Sequence, residues 1–481
     1  MLTMINKFIS SVERPVLLVI MTVIGSLAFS LLAFLSDPVL NRDGMLYIDL
    51  ASQIATSGME GGVTETFNWP FFSWFLAGLI KMSPWSPLMT SMLMTAFFSA
   101  GVTALMVLLM YRLSQAPGWL LLLFVLALPA LNEYRSSVLR DWPAWFFSLL
   151  AIYAWLRYVD RASVRWLLLC FGSIAFGVLC RLEVGAVAVG LALAGLFVPE
   201  RSWKKLIGFY VMPAVGVLGL LLFLAISDSG AVDRVTHYAN ALNVADRYQE
   251  FNHYGDLLTG AVLNKFSDNY GSQILFWGLM TIIPSKLFML LGVLVLAAFL
   301  RPVDWNGSDR TTYQALFYLW LAVLVIFLVT NLFLSSRYVV FAALMILPFL
   351  WVRFSQAFLG GDAVLKRVSI TILVLSGLAT SISSTGYEKS ALKDAGDWLA
   401  VRSDHVVYIN DGQVSFYADQ GYFSYDMEPA FPETIAPGSL LAWRVERGEA
   451  EGLLAAHRYR FSLEKMFDSG GEDVVVVLAR K

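Results

Sequence analysis

The chain has 481 residues, of which 58% are apolar and 15% charged, against roughly 45–50% and 25% in a typical soluble domain. Its 34 Lys and Arg nearly balance its 36 Asp and Glu, and it has two Cys, which excludes a disordered chain, a disulfide scaffold and a strongly basic nucleic-acid binder. Such a composition asks for lipid as the main solvent.

The charge is unevenly spread, because residues 383–481 hold 16 of the acids and 10 of the bases. The expected fold is a polytopic α-helical membrane protein: a slightly basic membrane domain, 1–382, followed by a small acidic α/β domain, 383–481.

A membrane-crossing helix needs roughly 20 mostly apolar residues. In chain order the sequence predicts eleven spans, near 15–35, 88–111, 117–131, 142–158, 164–180, 183–199, 206–226, 273–299, 313–334, 338–354 and 368–382. The first is flanked by Lys7, Glu13 and Arg14 without a small-residue cleavage site behind it, so it is expected as a retained helix. With the N-terminus cytoplasmic, one set of connections carries fourteen Lys and Arg, and the longer opposite set nine. The positive-inside rule then places loops 37–87 and 227–272, and the C-terminal domain, on the exported side of a bacterial inner membrane, facing the periplasm.

Within the first long loop, the stretch from Trp69 to Ile80 is apolar and aromatic but too short to span, and is expected as an interfacial helix. In the second, His237, Tyr238, Tyr248, His253 and Tyr254 lie among acids and bases and predict a partly helical cap over a cavity. Cys170 and Cys180 fall in spans and read as buried thiols. Beyond the spans, Leu392, Ala395, Gly396 and Leu399 recur at helical spacing, and strands are expected at 405–409, 414–417, 439–445 and 474–478. No glycine-rich phosphate loop follows these strands, so the module reads as a structural or acceptor-docking cap.

Ionisable residues near a bilayer are costly and usually serve a function or pair with one another. Here they gather at four places: Asn41-Arg42-Asp43-Gly44 with Tyr47; the connection from Asn132 to Pro143, holding Arg135, Arg140 and Asp141; Arg181 with Glu183; and Arg337. The second reads as a short helix delivering charge to the bilayer boundary. Arg181 and Glu183 have the simpler alternative of a mutual ion pair. Several Arg and carboxylates on one face suit a reaction with an anionic lipid, since Arg forks bind phosphate oxygens and a carboxylate can take a proton from an attacking hydroxyl.

These four places, in this order and on one side, resemble the C-type (GT-C) glycosyltransferase superfamily, polytopic enzymes that use polyprenyl-phosphate sugars, as do protein O-mannosyltransferases and the aminoarabinose transferase of lipid A. The resembling segments are Arg42-Asp43-Gly44 with Tyr47, Arg135 to Asp141, Arg181-Leu182-Glu183, and Ser336-Arg337-Tyr338 followed by Pro348. More loosely, the tail helix around Ala395-Gly396-Asp397-Trp398-Leu399 matches the exported module of bacterial members.

The resemblance implies a donor such as undecaprenyl-phosphate sugar, a periplasmic protein, lipid A or glycan as acceptor, and transfer with inversion. Asp43 would be the general base. Asp141 would orient the acceptor or hold a divalent cation, while Arg337 and one of Arg135, Arg140 or Arg181 would bind the departing phosphate. Arg42, Tyr47, Glu65, Trp69, Glu183, His237 and Tyr338 are the further substrate-binding candidates, Glu65 as a second carboxylate. One departure stands out: many members have a double acid in the first loop, whereas Asp43 is followed by Gly44, which argues against a metal site there.

Two other classes fit the composition. A transporter or flippase would show internal repeats and mid-span charges, whereas no repeat is found and the charges gather at one boundary. A ligase moving a whole glycan from a lipid diphosphate would share the cationic site.

Overall fold

The computed structural model describes residues 15–37, 39–58, 69–197, 210, 243–303, 305, 307–382, 389–402, 405–423, 432 and 435–481. Apart from Tyr210, the expected span at 206–226 lies outside them, as do Glu65 and His237.

The first long helix is α1 (Pro15–Ser36), followed by the amphipathic α2 (Arg42–Ser57) and by α3 (Phe71–Met82). Then come α4 (Pro87–Tyr111), the short α5 (Gly118–Leu126) and α6 (Pro129–Asn132), α7 (Asp141–Arg161), α8 (Val164–Cys180) and α9 (Gly185–Phe197). The later helices are α10 (Val244–Ala261), α11 (Gly271–Met280), α12 (Ile282–Leu291), α13 (Ser308–Asn331), α14 (Ser336–Gly360) and α15 (Ala363–Ile382). Among the described residues six helical stretches are long and apolar enough to cross a membrane: α1, α4, Asp268–Phe299, α13, α14 and α15. The chain thus has the make-up of a multi-pass membrane protein.

One expected span is corrected. Residues 117–131 do not form a single helix, since α5 ends at Leu126 and α6 starts at Pro129. Nine residues of α-helix reach only about 14 Å, half the roughly 30 Å of hydrocarbon. Instead α5 is packed inside the bundle, with Leu120, Leu121, Phe124 and Val125 buried. A helix expected within Trp69 to Ile80 is present as α3, Phe71–Met82.

Helix α7 sets the vertical scale. Its 21 residues measure about 30 Å, and it carries an acid near each end. At one end Asp160 pairs with Arg112, which also bonds Asp309 at the start of α13. At the other end lies Asp141. The charged groups at the two ends of α7 thus lie about as far apart as a bilayer core is thick.

The C-terminal domain comprises α16 (Ser390–Ala400), β1 (Val407–Ile409), α17 (Gly412–Tyr417), β2 (Leu440–Glu446), α18 (Ala450–His457), β3 (Phe461–Asp468) and β4 (Asp473–Arg480). Its sheet has the order β1-β2-β4-β3, with β1 parallel to β2 and the other pairs antiparallel. The Val run of β4 is apolar without alternation because both faces are covered. Val475 and Val477 pack under Leu392, Ala395 and Leu399 of α16, while Val474, Val476 and Leu478 pack with Ala450 and Phe461.

Two expectations fail here. The strand expected at 414–417 is α17, because Asp411 caps it, accepting from Gln413 N at 2.8 Å and Val414 N at 3.1 Å. Strand β3 escaped notice because it is an edge strand whose exposed Glu464 and Lys465 blunt its pattern.

Candidate functional site

The tetrapeptide Asn41-Arg42-Asp43-Gly44 begins α2, and its residues meet three different parts of the chain. Asn41 accepts from Val138 N at 2.9 Å and donates to Val138 O at 3.4 Å, locking the helix start to the connection before α7. Arg42 donates to Gln413 Oε1 of the C-terminal domain at 3.3 Å. Asp43 forms an ion pair with Arg337 at the start of α14. Gly44 permits this close approach, since a Cβ there would stand 3.0 Å from Val138 Cβ and 3.1 Å from its carbonyl oxygen.

A second charged group adjoins the first. Arg181 follows the last residue of α8, where it pairs with Asp141 and donates to both oxygens of Glu183, at 2.9 and 3.4 Å. The ring of Tyr338 joins the two groups, its centroid 4.7 Å from the Arg181 guanidinium and 5.3 Å from that of Arg337. The Tyr338 carbonyl accepts from Trp320 Nε1 at 3.0 Å. Arg140 lies within electrostatic reach of Glu183, and of Tyr47, which also feels Asp43, Asp141 and Arg337. Burial raises the Tyr47 phenol above its usual range, so its hydroxyl keeps its proton at neutral pH.

Exposure divides the work between the groups. Asp43 and Arg337 have side chains 40% and 26% exposed, whereas Asp141 and Arg181 stand at 2% and 9%. The open pair can meet a substrate directly. The closed trio of Asp141, Arg181 and Glu183 has a net negative charge and forms the wall of a narrow cleft with only about 30 Å³ of free space, room for roughly one water. Trp145, Trp320, Phe327, Tyr338 and Phe341 line the same cleft, with Arg337 at its edge. The arrangement offers cations and a carboxylate beside a narrow aromatic hollow, and guanidinium groups so placed suit an anionic head group.

No protein-family model matches the chain, and no curated protein matches it either. The chemistry therefore rests on where each side chain lies.

Of the expected site residues, the fold brings Asp43, Tyr47, Arg140, Asp141, Arg181, Glu183, Arg337 and Tyr338 together. Arg135 is the clear departure. It is fully buried, bonding Asn132 Oδ1 at 2.9 Å and, in α1, Ser26 O at 3.1 Å, Ser26 Oγ at 2.8 Å and Ser30 Oγ at 3.2 Å. Its place is the polar seam between α1 and α4, and it does not face the cleft. The short helix expected around it is a run of turns after α6. Arg42 turns to the C-terminal domain, and buried Trp69 anchors α3 to α8 by donating to Leu179 O at 2.8 Å; neither lines the cleft.

The donor set around Asp141 does not fit a divalent cation. Its partner is a guanidinium, and among the described residues no group of three or more His, Cys, Asp or Glu could hold a metal. Cys170 and Cys180 are buried free thiols.

Sequence reasoning missed Lys286, which donates to Ser336 Oγ at 3.1 Å, next to Arg337. The signal was there: it is the one Lys or Arg between Gln273 and Leu300, and a lone cation in such a run calls for a reason. The sequence also left Trp145 and Ser148 unassigned, although they follow Asp141 at i+4 and i+7 and so share its helix face.

Proposed function

We propose that this chain is a multi-pass membrane glycosyltransferase of the C-type superfamily, acting at the periplasmic face with a polyprenyl-phosphate sugar as donor. The observation that carries the reading is the open Asp43–Arg337 pair at the rim of an aromatic cleft, backed by Arg181. An acceptor hydroxyl attacks the anomeric carbon and gives its proton to Asp43. The bond from that carbon to the phosphate oxygen breaks, and the electron pair leaves with the lipid phosphate, whose charge Arg337 stabilises with support from Lys286 and Arg140. Release of Arg337 from Asp43 as the phosphate arrives frees the carboxylate to act as base.

The aromatic lining supports the sugar reading, because aromatic faces pack well against the C–H faces of a sugar ring. Apolar helix surfaces beside the cleft suit the isoprenoid tail. No nucleotide fold is required, since the phosphate ester already supplies the leaving group. The acceptor, whether protein, lipid A or glycan, is a hydroxyl-bearing molecule reaching the exported face.

The test is turnover by the full-length protein in lipid nanodiscs with a panel of undecaprenyl-phosphate sugars, read as release of undecaprenyl phosphate by mass spectrometry. Surface glycans of a deletion strain should lack one sugar. Release by the wild type and its loss in Asp43→Asn are expected; equal release by both overturns the assignment of the base. A reporter fused after Lys481 should be active only in the periplasm, and cytoplasmic activity would reverse the sidedness.

A further inference from the structure

The C-terminal domain reaches the start of α2 through the short helix α17, and the Tyr422 backbone bonds Asp49 further along α2. Tyr417 Oη accepts from Leu40 N at 2.8 Å, and Gln413 Nε2 donates to Leu40 O at 3.3 Å. Gln413 Oε1 accepts from Arg42 Nε at 3.3 Å. Two side chains of α17 thus hold the backbone and the side chain on either side of Asn41, two residues before Asp43.

Helix α17 is itself fixed from behind. Asp411, 1% exposed, caps it and accepts from Arg444 of β2 at 2.7 Å, and Arg444 also pairs with Asp473 of β4. On its other side, a Cβ at Gly396 of α16 would collide with Tyr417, so the two helices touch where glycine allows it. A continuous path of bonds runs from the central strand of the sheet, through Arg444, Asp411 and Gln413, to Arg42 and the neighbouring Asp43. Burial pushes the Tyr417 phenol up to about 12, so it stays neutral and its contact holds throughout physiological pH.

We propose that Gln413 and Tyr417 are positioning residues, and that the C-terminal domain acts as a clamp setting the angle at which α2 presents Asp43 to Arg337 and the cleft. The catalytic part of this inference rests on the function proposed above. Misplacing a catalytic group by about 1 Å can cost on the order of 100-fold in rate, so a peripheral domain can govern turnover without touching substrate.

The experiment uses full-length protein in nanodiscs with Gln413→Ala, Tyr417→Phe and, as a control on exposed β3, Glu464→Ala. Amide hydrogen exchange across Met45 to Leu50 is expected to be about 10-fold faster in the first two variants, as local opening of the α2 start becomes easier, and unchanged in the control. Turnover should fall about 10- to 100-fold with donor KM within about twofold of wild type. Unchanged exchange in both Gln413→Ala and Tyr417→Phe overturns the clamp. A fall in turnover with a parallel rise in KM overturns positioning of the base. If Gln413→Ala loosens the whole C-terminal domain, Tyr417→Phe, which removes one oxygen, decides the matter. Should the wild type release no lipid phosphate, the glycosyltransferase reading fails while the exchange measurement still tests the clamp.

Discussion

Arg337 forms its ion pair with Asp43, a residue 294 positions earlier in the chain, and so ties the start of α14 to the start of α2. The two charges neutralise each other at rest, and a phosphate must compete for Arg337. Asp43→Asn is therefore expected to lower turnover about 10²- to 10⁴-fold, the range of a general base. It should bind donor at least as tightly as wild type, because Arg337 loses the carboxylate it bonds directly and keeps only the longer-range attraction of Asp141. Arg337→Ala should weaken donor binding by roughly 10- to 100-fold, as expected for a charged hydrogen bond. Titration with a fluorescent polyprenyl-phosphate sugar checks both, and weaker donor binding by Asp43→Asn would refute the competition.

The Asp141–Arg181–Glu183 trio is closed to solvent and makes a different prediction. Removing one charge from a buried pair typically costs about 3–5 kcal/mol, because the partner is left uncompensated. Arg181→Met, which leaves Asp141 and Glu183 without their cation, should thus lower the melting temperature in detergent by several degrees, which a melting curve by intrinsic fluorescence will show. Since Asp141 is held by a guanidinium, EDTA should leave turnover unchanged. A loss reversed by Mg²⁺ or Mn²⁺ would contradict that assignment.

Arg135 separates a structural cation from the substrate-facing ones. Arg135→Met should destabilise the contact between α1 and α4, visible as faster proteolysis or a lower melting temperature, since Ser26, Ser30 and Asn132 lose a buried partner. The folded fraction should keep its donor KM within about twofold. A selective loss of donor affinity at unchanged stability would return Arg135 to the phosphate site.

Gly44 sets the distance between α2 and the connection that leads to Asp141. Gly44→Val is expected to push the two apart at a cost of about 1–3 kcal/mol, the usual range for overpacking, and to lower turnover more than Gly44→Ala does. Equal activity of wild type, Ala and Val variants would show that the contact with Val138 does not hold Asp43 in place.

Much of the architecture was legible in the sequence because it follows from local rules. Apolar runs predict α1, α4, α8 and α13 to α15 within a few residues, as lipid selects for length and hydropathy alone. The ionisable residues were legible for the same reason, since each interrupts an apolar context. Hydropathy could not tell that 117–131 breaks into two pieces sheltered by the bundle, or that Asp411 turns the segment 414–417 into a helix.

By itself, the sequence determined the solvent, the helical class, the acidic α/β tail and the candidates at 43, 141, 181 and 337. Only the tertiary structure decided which cations share a cleft, placing Lys286 beside Arg337 and sending Arg135 to the seam between α1 and α4. It also decided which ion pair is open and which is closed, and gave Arg42 to the C-terminal domain. The physical reason is that pairing and burial depend on contacts between residues tens to hundreds of positions apart, whereas hydropathy and helical periodicity are properties of neighbours.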